Sequence, residues 1–278
     1  MHLAVLESFV QKMGSMFAYQ SSEVDWCEEN YKYSDHVAEF YNTVSNVGFF
    51  ICAPLMMYLQ HPYARERTLA VHLFWLMLII VGVFSAYYHM TLSYIGQMLD
   101  EISILWIIAV AYAIWYPRVH FPNFIKNRHH FITMVFITAS VSTLVIFMKP
   151  IMNAYILNCT TFHVLYTLKL ELKKCPDPRI HRLAVIAVFW WVLAITCWIS
   201  DRVLCEFWRA INFTYLHSFW HIFITITVVH STALFTYFDA MYEIPECLPE
   251  VQYWPCNSWL LGLPYLAVQS SRKLKKDC

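Results

Sequence analysis

His217 and His221 stand four residues apart in the string YLHSFWHI, a spacing that puts both imidazoles on one face of a helix. Two imidazoles on one face can hold one Zn²⁺, and His89 can supply a third nitrogen. Three histidines with one position left open form the pattern of a catalytic zinc, which polarises a carbonyl and lowers the pKa of water to about 7. Asp100 can then take or give a proton. Ser85 lies four residues before His89, on the same helix face, and can donate to a developing oxyanion. Asp201 either orients a histidine tautomer, caps a helix or pairs with Arg202. The spacing alone decides little, because 13 His in 278 residues give about 0.6 such pairs by chance. No H-E-x-x-H is present, and membrane histidines bonded to backbone or to one another fit the pattern too. His72, His163 and His230 read as packing or hydrogen-bonding groups, and His129–His130 as surface.

A second cluster is acidic. Glu23, Asp25, Glu28, Glu29, Asp35 and Glu39 fall within 17 residues. Hard oxygen ligands in a loop suit Ca²⁺, although the segment lacks the EF-hand pattern. A solvated acidic loop is the other reading.

These residues must be positioned by membrane helices. Of 278 residues, 59% are hydrophobic and 14% charged, where an ordinary soluble domain carries about 25% charged. Mean hydropathy is +0.47. The composition excludes a soluble globular enzyme and a disordered chain. Nineteen Lys and Arg against nineteen Asp and Glu leave no basic surplus for nucleic acid. The 11 Trp, 18 Tyr and 20 Phe suit interfacial belts. A spanning helix needs about 20 mostly apolar residues. Seven stretches qualify: Ala38–Leu59, Leu69–Thr91, Met98–Trp115, Phe131–Met148, Met152–Leu168, Leu183–Ile199 and Tyr215–Phe238. The fold class expected is an all-α membrane protein, a seven-transmembrane helix bundle. Residues 1–37 form an N-terminal segment, 38–238 the helical catalytic domain and 239–278 a tail too interrupted to span. Glu7 and Lys12 break the apolar run of Met1–Gln20, which argues against a cleaved leader.

Basic residues orient the bundle. Fourteen Lys and Arg, from Arg65 to Lys276, fall on the C-terminal side; Lys12, Lys32, Lys149, Arg202 and Arg209 make up the other five. The C-terminus is expected to be cytosolic and the N-terminus lumenal. His89, Asp100, Asp201, His217 and His221 then all land at the lumenal end, where ionisable groups inside a membrane are costly unless paired or functional. Of nine cysteines, only Cys27 and Cys205 fall in lumenal segments. They form either a disulfide or two free thiols.

The strings SEVDWCEENY, VAEFYNTVSN, YYHMTLSYIGQMLDE, CWISDR and YLHSFWHI resemble the alkaline ceramidases, within a superfamily of seven-span hydrolases that includes the adiponectin receptors. The resemblance runs from about Phe17 to the C-terminus; Met1–Ser15 extend beyond it. It implies zinc held by His89, His217 and His221, with Ser85 and Asp100 as the catalytic serine and aspartate. It implies Ca²⁺ bound at Asp25, Trp26 through its carbonyl, Glu28, Asn30 and Glu39, and a Cys27–Cys205 disulfide. The activity implied is hydrolysis of ceramide, a membrane lipid, to sphingosine and a free fatty acid, with calcium bracing the loop.

The partners expected are the lipid substrate and the bilayer, with no nucleic acid and no obligate protein partner. A lipid-sensing receptor of the same superfamily with little hydrolytic activity is the alternative. A D-R-Y after the third span and an N-P-x-x-Y in the seventh are both missing, and no repeat symmetry marks a transporter. The ending Lys275-Lys276-Asp277-Cys278 reads as a dilysine retrieval address when cytosolic, or as a basic tail meeting anionic lipid. The first reading puts the protein in the endoplasmic reticulum membrane, with the Golgi membrane as second choice.

Overall fold

The computed structural model describes residues 14–259 and 262–269. The dilysine ending and most of the extension Met1–Ser15 lie outside the described residues. The first apolar stretch folds as α1 (Phe40–Ser45) and α2 (Val47–Leu59), divided at Asn46. Next come α3 (His61–Glu66), α4 (Ala70–Thr91) and α5 (Tyr94–Trp115). They are followed by α6 (Arg128–Met148), α7 (Met152–Lys174) and α8 (Pro178–Val203). The last two helices are α9 (Cys205–Ala210) and α10 (Leu216–Glu243). Several starts are set by side chains that accept the orphan N–H groups of the first turn: Ser93 accepts from Gly96, Asn127 from His130 and Asp177 from Arg179. Pro178 takes the first position of α8, where its missing N–H costs nothing.

Six segments are long and apolar enough to cross a membrane: Phe40–Leu59, Ala70–Thr91, Tyr94–Trp115, Arg128–Met148, Pro178–Val203 and Leu216–Glu243. The remaining expected stretch, Met152–Leu168, folds as α7, a helix of 23 residues. It has the length, but Asn153, Asn158, Lys169, Glu171, Lys173 and Lys174 lower its hydropathy. Apolar residues cover the outside of the bundle: Leu73, Leu76, Ile80 and Val83 of α4 are all exposed. Such a surface is expected to face lipid. At Gly82 a Cβ would come within 3.0 Å of the Phe49 Cβ, so glycine there lets α4 approach α2 closely.

The centre is α10, which packs on α8, α1, α2 and α5. Its buried face carries His217, Ser218, His221, Thr225, Thr232, Thr236 and Asp239. The threonines are satisfied within the helix: Thr225 donates to the His221 carbonyl at 2.7 Å and Thr236 to the Thr232 carbonyl at 2.8 Å. Such back-bonding lets a polar face lie inside an apolar bundle. At the far end of α10, Asp239 accepts from Tyr63 at 2.6 Å and from Arg67 at 2.9 Å. Glu243 pairs there with Arg118 at 2.8 Å.

Three expectations need correction. The fold is not all-α: β1 (Glu250–Trp254) pairs antiparallel with β2 (Leu263–Ala267), Val251 opposite Leu266. This hairpin packs on α10, α2 and α3. Its strands are fixed by that packing rather than by propensity, and Pro264 and the aromatics obscure their alternation in the sequence. Asp201 does not follow a span but lies inside α8, which runs to Val203. The third span starts at Tyr94, four residues before Met98, because Ser93 caps it.

Candidate active site and metal centre

The site forms where the N-terminal segment closes one end of the bundle. A helix leaves its last carbonyls without intrahelical donors. At the end of α4 those carbonyls are taken by the N-terminal segment. Glu39 N–H donates to His89 at 3.0 Å, Ala38 to Met90 at 2.9 Å, Gln20 to Thr91 at 3.1 Å and Ser22 to Leu92 at 2.9 Å. The same segment is tied to the start of α9, just before α10, by a disulfide between Cys27 and Cys205. Asp201 accepts the Cys27 N–H at 2.9 Å and lies against the backbone N–H of His217. It therefore positions backbone at the start of α10 rather than an imidazole tautomer.

His89 from the last turn of α4 meets His217 and His221 from the first turns of α10. Ring centroids are 4.9 Å apart for His89–His217, 5.0 Å for His89–His221 and 4.8 Å for His217–His221. One nitrogen from each ring lies within 4.8 Å of the others, and among the described residues this is the group of three metal-binding side chains that comes so close. All three rings are at most 3% exposed.

Hydrogen bonds set two of the tautomers. His89 Nδ1 lies 2.5 Å from Glu39 Oε2. When Glu39 is ionised its carboxylate can only accept, so Nδ1 then carries the proton and Nε2 the lone pair. Burial pushes the Glu39 carboxyl up to about 8, and a cation at the imidazoles favours the ionised form. Ser45 Oγ gives its one proton to the Asn42 carbonyl at 3.0 Å, so it accepts from His221 Nδ1, 2.7 Å away. The lone pair of His221 is then on Nε2. His217 is held by stacking, its ring 3.7 Å from that of Trp26. His89 Nε2 and His217 Nδ1 are buried without a hydrogen-bond partner among the described residues. A buried imidazole nitrogen left unpaired is costly, and neutral imidazoles with aligned lone pairs are what a zinc ion takes. The residues fit such an ion.

Ser85 is buried one turn before His89, its Oγ 3.4 Å from His221 Nε2. It also meets the carboxylate of Asp100 in the second turn of α5. The fold thus brings His89, His217, His221, Ser85 and Asp100 to one place. A further network backs them. Asn42 donates to Glu39 Oε2 at 3.1 Å and accepts from Ser218 of α10 at 2.7 Å, so it joins the two helices that carry the histidines.

The calcium candidates share the neighbouring loop. Asn30 Nδ2 lies 3.1 Å from both Asp25 oxygens, Asn30 Oδ1 is buried without a partner, and Asp25 reaches the carboxyl of Glu39. Glu28 accepts the Tyr41 and Asn42 N–H groups at 2.7 and 2.8 Å and so caps α1. Burial pushes the Glu28 carboxyl above its ordinary range, a cost that a cation beside it would offset. Two acids in contact and an orphaned amide oxygen suit a hard cation. Of the other acidic residues, Glu29 pairs with Lys32 at 2.8 Å on the surface, and Glu23 and Asp35 are exposed.

The sequence reading missed three roles. Glu39 is fully buried and bonded to His89, the ring of Trp26 covers His217, and Ser45 orients His221. Asn42 and Ser45 do carry a signal: they are polar groups inside an apolar stretch, where each must be paired or useful. Glu39→Gln keeps the side-chain size and removes the charge that holds His89. Zinc affinity is expected to fall about 10–100-fold, measured by competition with a chelating dye; an unchanged affinity would remove Glu39 from this role.

A family model described as Ceramidase matches residues 18–267. The chain is 51% identical over 263 residues to alkaline ceramidase 1 of Mus musculus, covering 94% of this chain and 96% of that protein. It is 50% identical over 267 residues to alkaline ceramidase 1 of Homo sapiens, covering 96% and 100%. Against the alkaline ceramidase of Drosophila melanogaster it is 41% identical over 258 residues, covering 92% and 91%. Similarity of this extent, reaching across every element that builds the site, shows that the chain belongs to the ceramidase family of enzymes.

Proposed function

We propose that this chain is a zinc-dependent intramembrane amidohydrolase that cleaves ceramide to sphingosine and a free fatty acid and depends on calcium. The observation that carries the reading is the three buried imidazoles, which bring one ring nitrogen each within 4.8 Å of the others. His89, His217 and His221 would hold the zinc. When bound, that ion supplies a Lewis acid for the amide carbonyl and brings water's pKa to about 7.

The chain's own groups do the rest. Asp100 takes a proton from the attacking water and returns it to the leaving amine nitrogen. Ser85 donates to the carbonyl oxygen as negative charge builds there. Glu39 and Ser45 hold His89 and His221 in their tautomers, and Trp26 covers His217. Substrate tails lie among apolar side chains of the bundle.

Asp25, Glu28, Asn30, Glu39 and the carbonyl of Trp26 would hold calcium, which braces the loop. Asp25→Ala is expected to lower activity several-fold, with partial recovery when calcium is raised into the millimolar range typical of weak sites; loss that calcium leaves untouched would detach Asp25 from a calcium role.

In this reading residues 1–37 carry the calcium loop, 38–238 form the seven-helix catalytic domain with α7 as its fifth span, and 239–278 are a cytosolic tail. The Cys27–Cys205 disulfide at the site end supports a lumenal placement, since such bonds persist in oxidising compartments. The endoplasmic reticulum membrane is the location proposed. The test is zinc content and ceramide turnover of the purified full chain with and without a zinc chelator. Turnover that follows zinc supports the hydrolase. Zinc and ceramide binding with no turnover favours a lipid-sensing receptor.

A further inference from the structure

Helix α7 packs on α5 and α6, and between it and α8 lies a groove of about 400 Å³. The floor is Leu165, Leu168 and Leu172 of α7 with Val188 of α8, and Lys169, Lys173 and His181 stand at its rim. The groove is remote from the metal centre: Val188 is about 20 Å along α8 from Asp201 at 1.5 Å per residue.

Its charges are uncommitted. Lys174, the next residue, is occupied by Glu171 at 3.0 Å and Tyr242 at 3.2 Å. Lys169 and Lys173 are exposed and have no ion pair among the described residues. They sit one helical turn apart, about 6 Å along the axis, so both ammonium groups can face one anion. His181 Nε2 lies 2.8 Å from the Cys175 carbonyl, which anchors that ring at the rim.

We propose that this groove seats an acyl chain of an anionic phospholipid, with its phosphate between Lys169 and Lys173. An apolar floor between helices of a membrane bundle is filled by hydrocarbon, which accounts for the tail. Two unpaired lysines one turn apart select for negative charge in the headgroup. A lipid there completes the packing that α7 lacks toward α8.

The test uses the full-length chain in phosphatidylcholine nanodiscs. These carry a trace of phosphatidylserine or phosphatidylcholine with the same diazirine-bearing acyl chain, and labelled peptides are mapped by mass spectrometry. Phosphatidylserine is expected to label the peptide bearing Leu165–Leu172 preferentially. Labelling is expected to fall about fivefold for Lys169→Gln or Lys173→Gln, and roughly twenty-five-fold for both. Leu168→Trp, which fills the floor and leaves the lysines in place, blocks labelling by either lipid. Monodisperse elution and an unchanged melting profile qualify each variant. Equal labelling by the two lipids, undiminished labelling of K169Q/K173Q, or undiminished labelling of L168W overturns the proposal.

Discussion

Replacing His217 by alanine is expected to bring ceramide turnover to background and to leave the purified chain with little zinc. The ring is one of three imidazoles gathered within 4.8 Å, and two nitrogens do not hold a catalytic zinc as three do. Removing it also uncovers Trp26, whose ring stacks on it at 3.7 Å. A melting profile and an intact Cys27–Cys205 bond must therefore be checked beside activity. Metal analysis gives the decisive reading: a folded H217A protein that keeps about one zinc per chain and full activity would refute the assignment of the centre.

Asp100→Asn is the second large effect. The substitution keeps size and hydrogen-bonding capacity beside Ser85 but cannot accept a proton from water. Turnover is expected to fall about 10²–10⁴-fold, the usual worth of a positioned acid–base group. Zinc content should be unchanged, because Asp100 is not among the three residues that gather at the metal position. A fall in zinc content matching the fall in rate would make Asp100 a support for the metal instead of a proton carrier.

Much of this arrangement could be read before any coordinates, for physical reasons that differ by residue. His217 and His221 share a face because the period of a helix dictates it. His89 and Asp100 fall at the same end as that pair because consecutive spans reverse direction. What could not be read is whatever depends on which loop lies over which helix end. Glu39 sits in an acidic run and looks like one carboxylate among six. Only the amide ladder between the N-terminal segment and the end of α4 takes it to His89. Trp26 lies in the same run, and nothing in its neighbours announces a stack on a ring nearly two hundred residues away. Asp201 lies beyond the apolar stretch Leu183–Ile199 because Asp and Arg lower hydropathy, whereas the helix continues to Val203. The hairpin was hidden because its strands are five residues each and one contains Pro264; its order comes from α10 beneath it.

Glu39 is shared property. One oxygen accepts from Trp26 on the acidic loop, and the other from His89 and Asn42. Any ion held by the loop and any ion held by the histidines therefore act on the same carboxylate, and equilibrium linkage makes that influence mutual. If filling the loop tightens the histidines' grip on their ion by some factor, that ion must tighten the loop's grip by the same factor. A chelator chosen for one ion will then loosen the other, and a titration that varies a single ion reports on both.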